Sequence, residues 1–449
     1  MKLPLQFLEQ LTDQWSGKET QDFLTSMEQP SPVSIRLNPK KITTLPEFEP
    51  VPWSGMGFYL SERPSFVADP LWHAGAYYVQ DASSMIVGEL ISQIKSDASL
   101  PVRVLDLCGA PGGKATDIIS RLDDRDLLVS NDVIKSRSRI LYENSTKWGH
   151  PNHLVSCNDP KDFEKLPGFF DVLLIDAPCS GEGLFRKDPG SVSEWSGEAV
   201  NHCSQRQRRI IWDVWEALAE EGILIYSTCT YNTRENHDIL SWMQDHFAVE
   251  RVSFSLDNNW GFSPVEMKGH SMYQAFPHKV KGEGFSFFAV RKKSAVKERK
   301  IKIKRSKADP GADYVNALTG SYLKNDSELY FFTHPKEMIF LSENLNLLKN
   351  GLRIGEIKKN KLIPSQELAN SIILNKEIYP AVSLSEENVL TYLKNETFDV
   401  EGNKGFNIVL FQGVPLGFIN HLGGRFNNLY PQNWKIRKQN ISKPELILK

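Results

Sequence analysis

From Val102 onward, short apolar runs alternate with stretches of helical periodicity, and this alternation limits the possible folds more than any other feature of the chain. The apolar runs, each ending in a small or polar residue, are VRVLDL, DLLVSND, HLVSCND, FDVLLIDAP and GILIYST. The helical stretches between them include GKATDIISRL, SRSRILYENSTKWG and QRQRRIIWDVWEALAEEG. Strands that are apolar throughout and separated by helices are typical of a parallel sheet covered on both faces. The sequence therefore predicts an α/β, Rossmann-like domain over residues 99–293, ending with the strand GFSFFAVRKK.

Two further regions flank this predicted domain. Residues 1–98 begin with an amphipathic helix in MKLPLQFLEQLTDQW, and we expect them to form an N-terminal domain. After the sheet, the segment from Arg291 to Arg305 carries nine Lys or Arg residues against one Glu. It predicts a basic linker over 294–309, which is either a solvated connection or a surface for nucleic acid. Asp-Pro-Gly then marks a boundary, beyond which we expect a C-terminal region over 310–449.

Composition excludes several classes of protein. The net charge of -2 over 449 residues excludes a globally basic nucleic-acid-binding protein, so any RNA-binding surface must be local. The five cysteines show no CxxC spacing and no HxxxH motif occurs, so we expect neither a metal site nor a disulfide framework. No apolar stretch approaches the roughly 18 residues of a membrane span, and the first residues lack the apolar run of a signal peptide. We therefore expect a soluble, cytoplasmic protein that is a monomer.

The first strand of the predicted sheet is followed at once by a loop of small residues and then a helix. The loop is Cys108-Gly109-Ala110-Pro111-Gly112-Gly113-Lys114. In an open parallel sheet, ligands bind beside this first strand-helix turn, and small residues let a ligand approach the backbone closely. The loop matches neither GxGxxG nor GxxxxGK[ST], and Pro111 fits poorly in a pyrophosphate cradle. These departures argue against a nucleotide phosphate and favour S-adenosylmethionine, which has no phosphate.

Acidic residues follow the next two strands. Asp132 lies nineteen residues past Gly113, where a carboxylate can accept both hydrogens of the ribose hydroxyls. Asp159 ends the third strand, where it can receive the amino group of adenine. Each acid alone could equally be a strand-end cap or a helix N-cap. Three such features at successive strand ends nevertheless predict a cofactor site.

Two cysteines leave the same edge of the predicted sheet. Strand FDVLLID ends in Asp176-Ala177-Pro178-Cys179, and strand GILIYS ends in Thr228-Cys229-Thr230. One cysteine after a buried strand is usually a small core residue, but two beside a cofactor site indicate chemistry. Methylation of cytosine at C5 needs a thiolate, because its addition to C6 makes an enamine-like ring whose C5 can attack a methyl sulfonium.

Other residues at this edge fit the same chemistry. Lys114, or the positive sulfonium, can favour the thiolate form of a cysteine. Asp176 can hold N3 and the exocyclic amine of the base, which favours cytosine over uracil. The base must leave its stack to reach such a pocket, so we expect an RNA loop or distorted RNA as substrate.

Six segments together resemble the Sun family of RNA 5-methylcytosine methyltransferases, and most of all its RsmF-like branch, which acts on bacterial ribosomal RNA. They are CGAPGGK, SNDV, CND, DAPCSGEGLFRKDP, YSTCTYNTREN and FPHKVKGEGFSFF. The resemblance implies that Cys229 attacks the base and that Cys179 aids release of the methylated RNA. It places the cofactor contacts on Cys108 to Lys114, Asp132, Asp159 and Asp176, with Arg137 as a further candidate. It also implies 16S ribosomal RNA or the small ribosomal subunit as partner.

The regions on either side of the predicted α/β domain also resemble this family. SIRLNPKK, with Arg36 and Asn38, and GAYYVQDASS, which includes Gln80 to Ser84, are similar to the family's N-terminal RNA-recognition segment and its junction. The segment GVPLGFINHLGGRFNNLYPQNWKI is similar to a PUA-like extension near 380–449. Its candidates for binding RNA phosphates are Arg425, Lys435, Arg437 and Lys438. Tyr430 and Trp434 either stack on bases or pack in the core of a small domain.

The family pattern is not matched everywhere. The loop usually reads CAAPGGK, where this chain has Gly109, and the acid after the second strand is often Glu rather than Asp132. The Thr-Cys motif more often continues with Ser than with Thr230, and ENE is replaced by Glu-Asn-His at 235–237. None of these changes removes a predicted catalytic group.

Three alternative functions stay open on the sequence alone. An amino-methyltransferase would need an Asp/Asn-Pro-Pro-Tyr motif where this chain has DAPCSG. A cytosine methyltransferase of the DNA type would use Cys179, not Cys229, as nucleophile. An RNA-binding ribosome-assembly factor with a vestigial cofactor fold would not bind S-adenosylmethionine.

Overall fold

The computed structural model describes residues 3–267, 270–296, 314–317, 319–359, 361–438 and 440–448. Most of the predicted basic linker, including its basic residues from Lys297 to Arg305, lies outside the described residues. Within the described part of the chain, no helix has the length and apolar character needed to cross a bilayer.

The N-terminal region combines a helix pair, a small antiparallel sheet and a long helix. Its elements are α1 (Leu5–Gln14), α2 (Gly17–Met27), β1 (Val33–Leu37), β2 (Gly57–Leu60), α3 (Pro70–His73), β3 (Tyr77–Val79) and α4 (Ile86–Asp97). The predicted amphipathic helix at the N-terminus is confirmed, because α1 buries Phe7 and Leu11 on one face. Strand β1 lies between β2 and β3 and is antiparallel to both.

The central region forms a large sheet with helices between its strands. Its elements are β4 (Arg103–Asp106), α5 (Gly113–Arg121), β5 (Leu127–Asn131), α6 (Lys135–Trp148), β6 (His153–Ser156), β7 (Phe170–Asp176), α7 (Pro189–Glu194), α8 (Gly197–Val214), β8 (Leu218–Thr228), α9 (His237–His246), β9 (Val249–Val252), β10 (Ser263–Met267), β11 (His270–Ala275) and β12 (Phe285–Lys292). The order β10-β11-β12-β8-β7-β4-β5-β6 places the first strand of the predicted domain, β4, near the middle.

The sheet is mixed. Strands β8, β7, β4, β5 and β6 are parallel, as the sequence predicted. In contrast, β12 is antiparallel to β8, and β10 and β11 continue the antiparallel part. Strand β11 precedes β12 and pairs with it as a hairpin. No crossover helix is needed between these two strands, because they are antiparallel. The sequence therefore predicted the parallel strands and the existence of β12, but neither the antiparallel direction of β12 nor the strands β9, β10 and β11.

The predicted helix QRQRRIIWDVWEALAEEG is too long. Helix α8 ends at Val214, a short 3-10 turn follows, and β8 already begins at Leu218. Leu218 pairs with Phe170 of β7 and is fully buried. Pairing with a buried neighbouring strand outweighs the helical propensity of ALAEE, which is only a weak preference.

The C-terminal region adds two four-stranded sheets and one strand of the central sheet. Its elements are β13 (Ser321–Asn325), β14 (Glu328–Phe332), α10 (Pro335–Asn344), β15 (Leu347–Lys349), β16 (Leu352–Lys358), β17 (Lys361–Pro364), α11 (Gln366–Asn370), β18 (Ala381–Ser383), α12 (Glu386–Leu393), β19 (Gly405–Phe411), β20 (Val414–His421) and β21 (Phe426–Asn428). Strand β15 pairs antiparallel with β6 and so extends the central sheet. The last residue of β15, buried Lys349, donates from Nζ to the carbonyls of His150 (2.9 Å) and His153 (2.7 Å), which fastens the region to the α/β core.

The N-terminal sheet and the last strands of the chain share one hydrophobic core. Its buried members from the N-terminal region include Ile35, Leu37, Phe58, Leu71 and Tyr77, and those from the C-terminal region include Val382, Val389, Tyr392, Leu416, Tyr430 and Trp434. Tyr430 and Trp434 are only 2% and 8% exposed. Of the two interpretations that the sequence left open for these aromatic residues, packing is therefore the one that the structure shows.

Candidate active site

The carboxyl ends of the central strands open into a cavity of about 360 Å³. Among the residues predicted for the site, those that line it are Cys108, Gly109, Ala110, Pro111, Gly113, Lys114, Asp176 and Cys229. The lining also includes residues for which no individual role was predicted, among them Tyr78, Asp106, Leu184, Lys187 and Phe285. The loop 108–114, called the cofactor loop from here on, and Cys229 thus face the same space.

Glycines allow the cofactor loop its shape. Gly112 precedes α5 with φ +120°, a left-handed conformation that other residues adopt only with strain. A Cβ on Gly109 would lie 2.7 Å from Oδ2 of Asp106, so alanine at this position would force the buried carboxylate to move. The Gly109 N–H donates to the carbonyl of Asn131 at 2.7 Å, which ties the loop to the end of β5. The departure from CAAPGGK therefore fits the position of Asp106 in this chain.

Asp106 is a buried carboxylate without a hydrogen-bonding partner among the described residues. Its side chain is fully buried, and neither oxygen accepts a hydrogen bond. Burial raises its pKa to about 8; the nearby Asp176 carboxylate adds to this effect and Lys114 opposes it. Unpaired buried polar groups are rare and costly. A carboxylate of this kind beside a ligand cavity is complementary to a cationic or hydrogen-bond-donating group.

None of the three predicted cofactor residues Asp132, Arg137 and Asp159 lines the cavity. Oδ1 of Asp132 accepts the Ile134 N–H at 2.9 Å, and its Oδ2 lies 3.4 Å from Nη2 of Arg137. The same Arg137 nitrogen donates to the Ala110 carbonyl at 2.9 Å, which links Asp132 to the cofactor loop. Asp159 caps a 3-10 turn through its side chain and is half exposed. Both acids thus make the capping contacts that the sequence allowed as the alternative to cofactor binding.

Lys114 and Asp176 form an ion pair at the cavity. Nζ of Lys114 donates to Oδ2 of Asp176 at 2.9 Å, and Oγ of Ser227 donates to Oδ1 at 2.8 Å. Burial alone would lower the pKa of Lys114, but the Asp176 carboxylate raises it overall. Lys114 is therefore a cation whose direct partner is Asp176, while the sequence had considered it as a partner of a thiolate.

The two predicted cysteines touch each other. Cys179 and Cys229 follow the adjacent parallel strands β7 and β8, and their sulfur atoms lie 3.1 Å apart. Cys229 lines the cavity and Cys179 does not. The hydrogen bond with Cys229, together with burial, raises the pKa of Cys179 well above its usual value. Cys179 is therefore held as a protonated thiol in contact with Cys229, the cysteine that faces the cavity.

Arg36 and Asn38 are not on an RNA-facing surface. Arg36 is 1% exposed and donates to Oε1 of Gln80 at 2.8 Å and to Oγ1 of Thr116 at 2.6 Å. Asn38 is fully buried and donates to the carbonyl of Trp148 at 2.9 Å. The segment thus ties the N-terminal sheet to α5 and α6, and direct RNA contact by these two side chains is excluded as they stand. The C-terminal candidates Arg425, Lys435, Arg437 and Lys438 are exposed.

Sequence reasoning missed two buried glutamates beside the cysteines. Glu182 and Glu235 are fully buried and accept hydrogen bonds from the residues that follow Cys229 and Cys179. Both lie inside motifs that carried the family resemblance, DAPCSGEGLFRKDP and YSTCTYNTREN. Other charged residues of these motifs, such as Lys187 and Asp188, are exposed, so the sequence carried no signal that set the two glutamates apart.

Models of three protein families match three successive parts of the chain. The family described as 16S rRNA methyltransferase RsmB/F matches residues 98–291. The N-terminal domain of 16S rRNA methyltransferase RsmF matches residues 3–82, and the methyltransferase RsmF PUA domain matches residues 379–436.

Two relatives illustrate the extent of the similarity. The ribosomal RNA small subunit methyltransferase F of Pectobacterium atrosepticum is 34% identical over 66% of this chain and 63% of its own length. The chain thus spans slightly less than two thirds of that relative. The protein of the same name from Klebsiella pneumoniae is 29% identical over 92% of both chains.

Solved structures share the fold. A methyltransferase homologue from Pyrococcus horikoshii has a TM-score of 0.52 and 24% identity over 65% of this chain and 100% of its own. NSun6 from the same organism, solved with SFG, has a TM-score of 0.54 and 19% identity over 65% of this chain and 98% of its own. These similarities show a methyltransferase fold. With the RsmB/F catalytic domain between the RsmF N-terminal and PUA domains, the chain belongs to the RsmF branch of the Sun family.

Proposed function

We propose that this protein transfers a methyl group from S-adenosylmethionine to C5 of a cytosine in RNA, with 16S ribosomal RNA as the substrate. The reaction passes through a covalent bond between Cys229 and C6 of the base, and Cys179 assists release of the product. The observation that carries the proposal is the pair of thiols 3.1 Å apart, one of which faces the cavity of the cofactor loop. Two thiols in contact suit a reaction in which one sulfur adds to the ring and must later leave it.

The domain organisation of the chain supports an RNA substrate. We assign residues 1–98 and the PUA-like part near 380–449 to RNA recognition, and 99–293 to catalysis. The exposed cations of the C-terminal region can neutralise phosphates and position the RNA without reading its sequence. The proposed partner is the small ribosomal subunit or its RNA in the cytoplasm, and the proposed state is a monomer.

The residues of the cavity fit S-adenosylmethionine, which would supply an electrophilic methyl group. The small residues of the loop 108–113 leave its backbone open to a ligand. The unpaired carboxylate of Asp106 would hold the ammonium group of the methionine part. Asp132, with Arg137 bridging it to the loop, would hold the ribose, and Asp159 remains the candidate for the adenine.

The remaining side chains fit cytosine chemistry. Lys114 and Ser227 fix the two oxygens of Asp176, so this carboxylate is oriented to accept the exocyclic amine of cytosine. The carbonyl oxygen of uracil at the same place would face a carboxylate and be repelled. The Cys229 sulfur adds to C6, and C5 then takes the methyl group. Loss of the C5 proton restores the double bond as the sulfur–C6 bond breaks, and Cys179 assists that elimination.

The test of this function is to incubate the purified protein with labelled S-adenosylmethionine and either small-subunit RNA or assembled subunits. We expect label in 5-methylcytosine after digestion of the RNA to nucleosides. Large-subunit RNA serves as the control substrate. Label in an N-methylated nucleoside would favour the amino-methyltransferase. A protein that binds the RNA but not S-adenosylmethionine would favour the assembly factor.

Asp106 predicts how cofactor affinity depends on pH. Because the pKa of Asp106 is raised to about 8, most of this carboxyl is protonated at pH 6 to 7. A cofactor that prefers the ionised carboxylate must displace that proton, so its affinity should rise about tenfold per pH unit up to about pH 8 and then level off. Calorimetric titration of the wild-type protein at pH 6, 7 and 8 measures this slope.

The matched variant for this titration is Asp106→Asn. It should bind S-adenosylmethionine more weakly at pH 8, and its remaining pH dependence reports only the ionisation of the cofactor's own amino group. Equal slopes for the wild-type protein and the variant would contradict the role assigned to Asp106.

A further inference from the structure

The residues that directly follow the two cysteines contact each other. Ser180 follows Cys179 and Thr230 follows Cys229, and their hydroxyl oxygens lie 3.1 Å apart. This contact and the contact between the two sulfurs are two successive links between the loop that follows β7 and the loop that follows β8. The separation of the thiols therefore depends on how Ser180 and Thr230 are held.

Each cysteine loop supplies a buried glutamate that holds the other loop. Glu182, from the Cys179 loop, accepts the Thr230 hydroxyl at 2.6 Å and the backbone N–H groups of Tyr231 and Asn232 at 2.7 and 2.9 Å. Glu235, from the Cys229 loop, accepts the backbone N–H of Ser180 at 3.0 Å and also its hydroxyl. The clamp formed by Glu182, Glu235, Ser180 and Thr230 is thus reciprocal.

A shared amide joins the two halves of this clamp. Nδ2 of Asn232 lies 3.1 Å from Oε1 of Glu182 and 2.7 Å from Oε1 of Glu235. Glu235 also accepts Nε2 of Gln207 at 2.9 Å. Every one of these partners is a donor, so glutamine could not replace either glutamate without turning an amide N–H toward another donor.

We propose that Glu182 and Glu235 are positioning residues for methyl transfer, which hold the two thiols at contact distance through Thr230 and Ser180. Two buried carboxylates are costly to fold, and an apolar core would hold a loop without them. Their reciprocal arrangement fixes one loop against the other, which is what a reaction shared by two sulfurs requires. A displacement of about 1 Å at a reacting group can slow a reaction by about 100-fold.

The variants that test the clamp keep its carboxylates and remove single hydroxyls. Thr230→Val and Ser180→Ala each delete one link, and Thr230→Ser keeps the hydroxyl as the conservative replacement. Ser204→Ala is the matched control, because Ser204 is also buried and donates to a backbone carbonyl, that of Arg234, at 3.0 Å. Melting temperatures identify variants that have lost their fold.

The first readout rests on the proposed function. With saturating RNA and S-adenosylmethionine, Thr230→Val and Ser180→Ala should lower the single-turnover rate by about 10- to 100-fold. Their affinities for RNA and cofactor should stay within about twofold of wild type, while Thr230→Ser recovers most of the rate. Rates within twofold of wild type in folded Thr230→Val and Ser180→Ala would overturn the proposal, as would a loss confined to RNA affinity.

The second readout needs no RNA and separates failure of the clamp from failure of the proposed function. A dipyridyl disulfide oxidises the two thiols to a Cys179–Cys229 disulfide and is itself reduced to two thiopyridones. The first exchange forms a mixed disulfide, and attack by the neighbouring thiol completes the reaction. We expect the second step to slow at least tenfold in Thr230→Val and to be unchanged in Ser204→Ala, as followed by thiopyridone absorbance and peptide mass spectrometry. An unchanged second step would overturn the clamp even if the protein methylates another substrate.

Discussion

Cys229→Ala is expected to abolish methyl transfer to RNA, with a loss on the order of 10⁴-fold or more in single-turnover rate. Without the sulfur at C6, C5 of cytosine stays part of an aromatic ring and has little nucleophilicity. The side chain lines the cavity of the cofactor loop, whereas that of Cys179 does not. Labelled methyl transfer to small-subunit RNA, measured at saturating RNA and cofactor, tests this expectation.

Cys179→Ala should behave differently from Cys229→Ala. Because Cys179 assists the elimination, its loss should let the protein form the bond to C6 but not release the RNA. A protein–RNA adduct that survives denaturing electrophoresis should then accumulate to about one RNA per protein. Cys203→Ala is the control, since Cys203 is only partly buried in α8 and does not line the cavity. It should methylate and release RNA at the wild-type rate.

The opposite pattern would reverse the two assignments. If Cys179→Ala abolished transfer and Cys229→Ala trapped the adduct, the reaction would follow the DNA type of cytosine methyltransferase. Normal methylation by Cys229→Ala would remove this cysteine from the mechanism. A loss of fold is excluded by equal melting temperatures and by equal affinity for S-adenosylmethionine.

The sequence predicted the parts of the site that follow from local order along the chain. Parallel strands joined by helices must present their carboxyl ends at one edge of a sheet. The loops after β4, β7 and β8 therefore meet there, and with them come Lys114, Asp176 and Cys229. The sequence placed Cys179 and Cys229 at the same edge, and the structure adds that β7 and β8 are neighbours in the sheet, which brings the two sulfurs into contact.

Other features depend on tertiary packing that no local pattern reveals. In the sequence, Asp106, Glu182 and Glu235 are ordinary acidic residues, and only the folded chain shows that all three are fully buried. Arg36 lies in a segment that resembles the family's RNA-recognition segment. In the structure it instead lies 4.6 Å over the ring of Trp148, inside the molecule.

The shared core of the N-terminal sheet and the C-terminal strands is a further feature of this kind. The two regions are far apart in the sequence, and the sequence predicted a basic linker and a separate extension. Yet Leu71 and Tyr77 belong to the same buried cluster as Tyr430 and Trp434. Nζ of Lys147 lies over both Trp72 and Trp434, 4.7 and 5.4 Å from the ring centres. The C-terminal region is therefore expected to stabilise the N-terminal one, whatever contacts it makes with RNA.

Trp434→Ala tests this expectation. Loss of a buried tryptophan from a core costs about 3–5 kcal/mol of unfolding free energy, and the side chain of Trp434 is only 8% exposed. Trp212→Ala is the matched control, because Trp212 is 58% exposed and its loss should change stability by no more than about 0.5 kcal/mol. Denaturant unfolding measures both, and RNA affinity is compared at a temperature where both variants remain folded.

If Trp434→Ala kept the wild-type stability but bound RNA at least tenfold more weakly, Trp434 would stack on RNA and the shared core would not depend on it. If stability falls and the folded variant binds RNA as the wild-type protein does, Trp434 packs the C-terminal region against the N-terminal one and does not stack on RNA.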